Sequence, residues 1–296
     1  MTDAPLSLEA LNAMPASSFV AATGQAFERA RWVAEAVVNG RPYPTVAALH
    51  EAMMQAVRSA PADRIAALIG GHPELGSRVK RTELTDQSRA EQGGLGLDAL
   101  GAEEFDRFNR LNAAYRKKFD FPFIICVRRH TRDSILRQFE RRLGNDAATE
   151  RAAALNEIGL ITRLRLVDMV DGPGKPTTTG RLSTHVLDTV SGCPAPGVKI
   201  ELHEIGASAR GVLKETTTNA DGRTDAPLIG GEPLRIGTYE LNFHIGAYFA
   251  RQTHAVVADP PFLDMVPIRF AIAEPEGHYH VPLLATPWSY TTYRGS

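Results

Sequence analysis

The sequence of 296 residues contains little cysteine and no excess of charge of either sign. Its two cysteines, Cys126 and Cys193, lie in regions of different pattern, so a disulfide framework is not expected and a reducing compartment is favoured. The formal net charge is -1, from 33 basic and 34 acidic residues. This balance gives no electrostatic reason to expect nucleic acid or an anionic membrane as a partner.

Long apolar runs are also absent, since no segment approaches the roughly 20 apolar residues that span a bilayer. The opening residues MTDAPLSLEALNAMPASSF contain neither a basic region nor a long apolar stretch, so a secretory signal is not expected. A chain of this length usually forms two domains. With 43% hydrophobic and 23% charged residues, the composition is that of a globular protein. We therefore expect a cytoplasmic protein of two domains.

The first 170 residues have the periodicity of helices. Apolar residues recur at helical spacing in TVAALHEAMMQAV, after a capping Thr45, and in EEFDRFNRLNAAYRKKF. Pro61 suits the first turn of another helix. Further helices are predicted from Thr131 to Gly144 and from about Ala147 to Met169. Residues 1–170 are therefore predicted to form an all-α domain.

A segment rich in Gly, Pro and Thr, DGPGKPTTTG at 171–180, is interpreted as a linker. After it, VKIELHEI, TYELNFHI and VPIRFAIA alternate apolar with polar residues, which is the period of strands. NADGR at 219–223 is typical of a hairpin turn. Residues 181–296 are therefore predicted to form an antiparallel β-sandwich, and the expected fold class is an all-α domain followed by an all-β domain.

The predicted sandwich carries histidines on one face of two strands. In LSTHVLD, His185 shares a face with Ser183 and Leu187, and in HYHVPLL, His278 and His280 share a face opposite large apolar residues. The pattern leaves three interpretations open, namely structural histidines, a zinc site and acid-base catalysis. Imidazole suits the last because its pKa lies near neutrality.

Four segments of this half resemble the 5-hydroxyisourate hydrolases, the transthyretin-related enzymes of urate breakdown: RLSTHVLDTVSGCPAPGVKIELHEI, TTTNADGRTDAPL, GTYELNFHIGAYF and HYHVPLLATPWSYTTYRGS. The resemblance covers nearly all of residues 181–296, and the closing YRGS is its most specific motif. It implies a transthyretin-like fold, hydrolysis of a cyclic amide, and a homotetramer with sites at a dimer interface. It also implies a structural role for His278 and the following functional residues: His185, Arg223, His280 and Ser296 as catalytic, and Tyr293 as holding substrate or water.

In the helical half, His72 follows a glycine-terminated helix in LIGGHPELGSR, and SRAEQGGLGLDALG comes about twenty residues later. From the local pattern alone, His72 is as typical of a residue that caps a helix C-terminus, where a cation is favourable, as of a functional residue. Glu91 and Gln92 are, on the same basis, typical of an exposed helical face. The local pattern does not decide between a structural and a functional role.

The segments GGHPELG, SRAEQGGLGLDAL, FNRLNAAYRKKFDFPFIICVRRHT and ALNEIGLITRLRL, in this order, resemble the OHCU decarboxylases. These enzymes act on 2-oxo-4-hydroxy-4-carboxy-5-ureidoimidazoline (OHCU), and the resemblance covers about residues 10–168. It implies a catalytic His72 held by the carboxylate of Glu91. It also implies a helical pocket with these substrate-binding residues: Ser88, Gln92, Phe121, Ile125 and Arg165, with Arg163 as the alternative to Arg165.

Hydrolysis of hydroxyisourate yields OHCU, and decarboxylation of OHCU yields S-allantoin, so the two resemblances imply consecutive steps. We therefore expect a bifunctional enzyme of urate catabolism that acts on small molecules. No metal or cofactor is expected, because the imine and carbonyl groups of OHCU can delocalise the charge left by carbon dioxide and no nucleotide-binding glycine motif is present. The alternatives are a protein with one active domain and a non-catalytic, transthyretin-like carrier of small molecules.

Overall fold

The structure is a computed structural model that describes residues 4–76, 85–94, 96, 101–206 and 210–295. The chain divides into two compact units. One comprises the described residues of Met1–Arg128 together with Ile135–Thr177, and the other comprises Arg129–Ser134 together with the described residues from Thr178 onward. The first is helical and the second is rich in strands, so the predicted fold class is confirmed.

The helical half also contains one short parallel strand pair, β1 (Leu6–Ser7) with β2 (Val170–Asp171). Within the described ranges, no helix is both long and apolar enough to cross a membrane. The helices of this half are α1 (Leu8–Ala13), α2 (Ala16–Thr23), α3 (Trp32–Val37), α4 (Val46–Arg58), α5 (Ala62–Gly70), α6 (Asp86–Gly93), α7 (Ala102–Phe119), α8 (Arg132–Arg142) and α9 (Ala147–Met169).

The apolar stripe predicted for α4 forms part of the helical core. Leu49, Met53 and Val57 are each 0% exposed, as their spacing on one helical face requires. The hydroxyl of Thr45 accepts a hydrogen bond from the amide of Ala48 at 3.0 Å, which satisfies a free donor in the first turn. The predicted stripe and cap of this helix are therefore confirmed.

Helix α9 has the predicted bounds and carries a buried charge among its apolar residues. Ile158 and Leu164 face the core with 0% and 2% exposure, and Arg165 is 4% exposed. A buried guanidinium is costly unless it is paired and hydrogen-bonded. The residues that pair with this guanidinium therefore mark a region of the helical unit in which buried polar groups are arranged around one another.

Most of the predicted linker belongs to the helical unit, which extends to Thr177. The amide of Val46, at the start of α4, donates to the carbonyl of Pro173 at 3.0 Å. Arg163 donates from Nη2 to the carbonyl of Thr177 at 2.8 Å. Gly174 adopts a φ of 59°, and a Cβ there would lie 2.6 Å from the Cβ of Thr45. The segment predicted as a linker is therefore hydrogen-bonded to α4 and to α9.

The second unit is a sandwich of two sheets. One sheet has the strand order β11-β10-β3-β4, with β7 also paired to β3, and the other has the order β6-β5-β8-β9. Ile200, Leu241 and Phe243 are 0% exposed in the core between them, as the predicted alternation requires. The elements are β3 (Arg181–Asp188), β4 (Cys193–Pro194), β5 (Lys199–Ile205), β6 (Arg210–Thr217), β7 (Ile229–Gly230), β8 (Gly237–Phe243), α10 (Ile245–Phe249), β9 (Val266–Ile272), β10 (His278–Ala285) and β11 (Tyr290–Thr292).

One strand pair in this sandwich is parallel. Strands β3 and β10 run in the same direction, with His280 opposite Ser183 and Pro282 opposite His185. The other strand pairs described in the two sheets are antiparallel. Alternation of apolar and polar residues reports which face is buried and carries no information on strand direction, so the sequence could not reveal this pair.

The segment NADGR forms a tight turn, but the prediction of a hairpin is wrong. The amide of Asn219 donates to the carbonyl of Arg223 at 2.7 Å, which closes the turn. The chain then passes from β6 in one sheet to a bridge between Arg223 and His185 of β3 in the other sheet. A local turn signal specifies the reversal of the chain but not the strand that receives it.

Candidate active sites

Polar side chains from three separate stretches of the chain line a cavity in the helical unit. His72 follows α5, while Ser88, Glu91 and Gln92 lie on α6 and Arg165 lies on α9. The remaining wall is mainly apolar and includes Phe123, Ile125 and Ile161. Such a combination of apolar wall and few polar groups is typical of a small-molecule site.

The orientation of His72 is set by its own helix. Its Nδ1 lies 2.9 Å from the carbonyl oxygen of Leu68, which can only accept, so Nδ1 carries the proton and Nε2 carries a lone pair. Burial, together with the smaller effect of the Arg165 charge, lowers the pKa of His72 to about 4, although the Leu68 carbonyl and Glu28 oppose this change. At neutral pH His72 is therefore an uncharged base.

The loop that follows His72 is held by two amide side chains. Asn112 donates from Nδ2 to the carbonyl of Leu75 at 2.9 Å. The amide of Gly76 donates to Oε1 of Gln92 at 3.4 Å. These contacts join the loop to α7 and to α6, so the histidine and the polar residues of α6 share one local framework.

Arg165 is bound along one edge by Glu91. Its Nε donates to Oε1 at 2.9 Å and its Nη2 donates to Oε2 at 2.7 Å, which is the two-point pairing that a guanidinium forms with a carboxylate. Burial alone would lower the pKa of Arg165, but the contacts with Glu91 and Glu28 raise it above its usual value. The arginine is therefore a fixed positive charge in the cavity wall.

Glu28 is a site residue that sequence reasoning missed. It is 3% exposed, and its Oε2 accepts hydrogen bonds from Ser88 Oγ at 2.9 Å, Thr85 Oγ1 at 3.0 Å and Arg165 Nη1 at 3.2 Å. It precedes α3 in the segment AFERARWV. No spacing in the sequence links a glutamate there to an arginine 137 positions away.

One of the expected roles in this cavity differs from what the structure shows. Glu91 was expected to hold His72, but its carboxylate is paired with Arg165, and His72 is oriented by the carbonyl of Leu68. Between the two candidate arginines, Arg165 lines the cavity, whereas Arg163 donates to a backbone carbonyl elsewhere in the unit. Neighbouring positions on a helix point to different sides, which separates the two arginines.

Phe121 was expected to border the pocket, and it lies instead in an aromatic cluster. Its ring centroid is 5.8 Å from that of Tyr115 and 5.9 Å from that of Phe119. Ile125, from the same segment, lines the cavity as expected. Phe123 is the phenylalanine of this segment that lines the cavity, next to Ile124 and Ile125.

The backbone of that wall is held by charged side chains. Arg142 donates from Nη1 to the carbonyl of Ile124 at 2.8 Å and forms an ion pair with Glu150, which is 0% exposed. The amide of Cys126 donates to Oε2 of Glu157 at 2.8 Å. The wall segment is thus fixed on both sides of Ile125.

In the sandwich, the parallel pairing of β3 with β10 brings two histidines together. The ring centroids of His185 and His280 are 6.5 Å apart. The hydroxyl of Ser183 lies 2.9 Å from Nδ1 of His280 and 3.1 Å from Nε2 of His278. Ser183, which was not among the expected site residues, therefore links the two histidines of β10.

Arg223 joins this group because a glycine precedes it. Gly222 has a φ of 69°, and a Cβ there would lie 2.3 Å from the carbonyl oxygen of Val186, so no other residue fits the bridge to β3. Burial lowers the pKa of His185 and of His280, and the nearby Arg223 guanidinium lowers both further. The face therefore presents neutral imidazoles next to a permanent positive charge.

The end of the chain lies against the same face. The amide of Gly295 donates to the carbonyl of His280 at 2.9 Å, and a Cβ at Gly295 would lie 2.7 Å from Cδ2 of that histidine. Tyr293 is 57% exposed. The expected catalytic residue Ser296 lies outside the described residues.

Metal chemistry was one interpretation of these histidines. Across the ranges that the structure describes, no group of three or more His, Cys, Asp or Glu side chains is arranged to hold a metal ion. The polar groups that do converge are two imidazoles and a guanidinium, which can activate water and stabilise an oxyanion.

Comparison with known proteins gives each unit its family. Residues 12–167 match the model of the OHCU decarboxylase family, and residues 182–295 match that of the HIUase/transthyretin family. The chain belongs to both families, with one domain of each. The prediction of a decarboxylase-like domain followed by a hydrolase-like domain is thereby confirmed.

Individual relatives agree with this division. A 5-hydroxyisourate hydrolase of Deinococcus radiodurans is 55% identical over 115 residues, which are 39% of this chain and 95% of the relative. A 2-oxo-4-hydroxy-4-carboxy-5-ureidoimidazoline decarboxylase of Haloferax volcanii is 39% identical over 163 residues, which are 55% of this chain and 95% of the relative. A crystal structure of (S)-allantoin synthase is 34% identical, with a TM-score of 0.52, and covers 98% of this chain and 100% of that one.

Proposed function

We propose that the chain is a bifunctional enzyme of urate breakdown, in which the β-sandwich hydrolyses 5-hydroxyisourate to OHCU and the helical unit decarboxylates OHCU to S-allantoin. The observation that carries this proposal is the convergence of polar side chains, far apart in sequence, in each family-matched unit. The helical cavity joins His72 to Arg165, and the sandwich face joins His185 to Arg223 and His280.

In the decarboxylation, His72 acts as the acid-base residue through its free Nε2. The bond between ring carbon 4 and the carboxylate breaks, carbon dioxide leaves, and the ring imine takes up the electron pair. The 4-hydroxyl gives its proton to Nε2 and becomes a carbonyl, and the imidazolium then protonates the carbon that carries the ureido group. Solvent protonates the ring nitrogen. Because His72 delivers the proton to that carbon from one side of the ring, a single enantiomer of allantoin is formed.

The polar wall binds and orients OHCU. A guanidinium has five N–H groups, and four of those of Arg165 are used by Glu91, Glu28 and Ser88, which leaves one on Nη1 for a substrate oxygen. The Gln92 amide and the apolar wall at Ile125 complete the pocket. Exclusion of water by that wall limits protonation from the wrong side.

In the hydrolysis, a neutral imidazole of His185 or His280 takes a proton from water, whose oxygen attacks the carbonyl carbon of the cyclic amide. The guanidinium of Arg223 stabilises the oxyanion that forms. The carbon-nitrogen bond then breaks, and the leaving nitrogen receives the proton. Tyr293 and Ser296 are proposed to hold substrate or water at this site.

We further propose that four chains assemble through the β-sandwich and that the enzyme works in the cytoplasm. His185 and His280 are part-buried within one chain and Arg223 is exposed, so a second copy over this face would enclose them. Both cysteines are free, Cys126 buried and Cys193 exposed, which fits a reducing compartment.

A two-step assay tests the function. Hydroxyisourate is made freshly from urate, its decay is followed by absorbance, and the formation of S-allantoin is followed by circular dichroism. We expect His72→Ala to leave hydrolysis intact and to let OHCU accumulate, because the two sites lie in different units. The matched control is His50→Ala, which removes another histidine of the helical unit, one bonded to Thr162.

The activity of the parent chain in the two steps decides between a bifunctional enzyme, an enzyme with one active domain and a carrier. If it accelerates neither step, the carrier interpretation replaces the enzyme, and if it accelerates one step, only that domain is active. Optically pure S-allantoin formed by the His72→Ala variant at the parent rate would show that the assignment of this histidine is wrong.

A further inference from the structure

Glu28 lies behind the polar wall of the helical cavity rather than in it. The residue belongs to the segment between α2 and α3, and its side chain is 1% exposed, while Arg165, Ser88 and Glu91 line the cavity itself. A carboxylate removed from water to this degree is costly unless charged or polar partners surround it. Its three hydrogen bonds supply those partners.

All three bonds end on one oxygen, Oε2, and they connect two helices. Thr85 is the N-cap of α6, and its hydroxyl both accepts from the amide of Ser88 and donates to Glu28. Ser88, one turn along, also donates to Glu28 and accepts from Nη2 of Arg165 on α9. Through this oxygen the first turn of α6 and the guanidinium of α9 have one common anchor.

Glu28 also completes the pairing of Arg165. Glu91 occupies Nε and Nη2 of the guanidinium, and Glu28 binds Nη1 from the other end. The guanidinium plane is therefore held at two edges, which leaves it little freedom to rotate. An arginine held at one edge alone could turn its remaining N–H away from the substrate.

We infer that Glu28 is a positioning residue for decarboxylation, which fixes Arg165 and Ser88 in the cavity without touching the substrate. This inference rests on the proposed decarboxylase function of the helical unit. It gives a carboxylate outside the cavity a part in orienting Arg165, in addition to the two-point pairing that Glu91 forms with that arginine.

The charge of Glu28 has a consequence that a purely steric role would not have. Among the described residues, the charged groups that act on His72 or line its cavity are Glu28 from the segment before α3, Glu91 from α6 and Arg165 from α9. The negative charge of Glu28 favours protonation of His72, and the positive charge of Arg165 opposes it. Removal of the Glu28 charge should therefore lower the pKa of His72 below about 4 and move the acid limb of the decarboxylation profile to lower pH.

The test compares Glu28→Gln with the parent full-length chain on OHCU generated by its own hydrolase site. We expect kcat for decarboxylation to fall by about 10- to 100-fold, the loss associated with one hydrogen bond between charged groups. We also expect the acid limb to move to lower pH and hydroxyisourate hydrolysis to stay at the parent rate. The matched control is Glu35→Gln, an exposed glutamate on α3, which should change neither quantity.

Glu28→Asp serves as the second variant, because it keeps the charge but shortens the reach. We expect its kcat to lie between those of the parent and Glu28→Gln, with the acid limb at the parent position. Parent kcat with an unmoved acid limb in a folded Glu28→Gln protein would overturn the inference, as would parent kcat in Glu28→Asp if the glutamine variant does not fold. A parent chain inactive on OHCU would instead overturn the proposed function.

Discussion

At the scale of single residues, burial and pairing distinguish two arginines of the same helix. Arg165 is 4% exposed on α9 and has carboxylates at two edges, whereas Arg163, two positions earlier, reaches a backbone carbonyl. Breaking a buried ion pair from one side leaves an uncompensated charge, which costs about 3–5 kcal/mol. The two arginines therefore form a natural pair for comparison.

We expect Arg165→Lys to reduce kcat/KM for OHCU by roughly 100-fold, because an ammonium cannot form the two-point pairing with Glu91 and still reach Glu28. Arg163→Lys should stay near the parent value. Steady-state kinetics of the second step, with hydrolysis as the internal reference, measure both variants. Equal losses in the two variants would contradict the placement of Arg165 in the cavity.

At the scale of elements, the parallel pairing of β3 and β10 creates the histidine face. A shift of one residue in this register would turn His280 away from His185, because successive side chains of a strand alternate between faces. The final residues add a further constraint, since Gly295 approaches the ring of His280 more closely than any side chain would allow.

Gly295→Ala is therefore expected to displace the His280 ring and to slow hydroxyisourate hydrolysis by about 10- to 100-fold, the loss associated with small displacements of catalytic groups. Decarboxylation should not change. Gly211→Ala is the matched control, because a Cβ at that position on β6 meets no atom within 4 Å. Hydrolysis at the parent rate in Gly295→Ala would contradict a role for this close approach.

At the scale of the whole molecule, two chemistries lie in two units of one chain. Hydroxyisourate and OHCU both decay without an enzyme, so joining the sites raises the concentration of intermediate that the second site meets. Assembly of several chains also belongs to this scale, because the sandwich face that carries His185 and His280 is only part-buried in a single chain.

Light scattering coupled to gel filtration tests the proposed assembly. We expect a mass four times the 32.2 kDa of one chain. Leu187→Glu places a charge on the face that carries His185, and it should lower both the mass and the rate of hydrolysis while decarboxylation continues. Leu213→Glu, at a residue of β6 that is 50% exposed, is the control. A parent chain that elutes as a monomer with full hydrolase activity would refute the proposal.

Periodicity by itself determined the kinds of element and the two-part organisation. The bounds of α9, the buried stripe of α4 and the alternation in β5, β8 and β9 were all predictable, because burial of one face imposes a repeat that needs no knowledge of the partner. Motifs likewise supplied the residue types for each site, including His72, His185 and His280.

The tertiary structure alone decided which groups meet. Glu91 pairs with Arg165 rather than with His72, and Glu28 binds the same arginine. Arg165 and Phe123 line the cavity, whereas Arg163 and Phe121 do not. The tertiary structure also made β3 and β10 parallel. A repeat along the chain reports the face that each residue occupies, but contacts between residues far apart in the sequence depend on the packing of whole elements, which no local pattern contains.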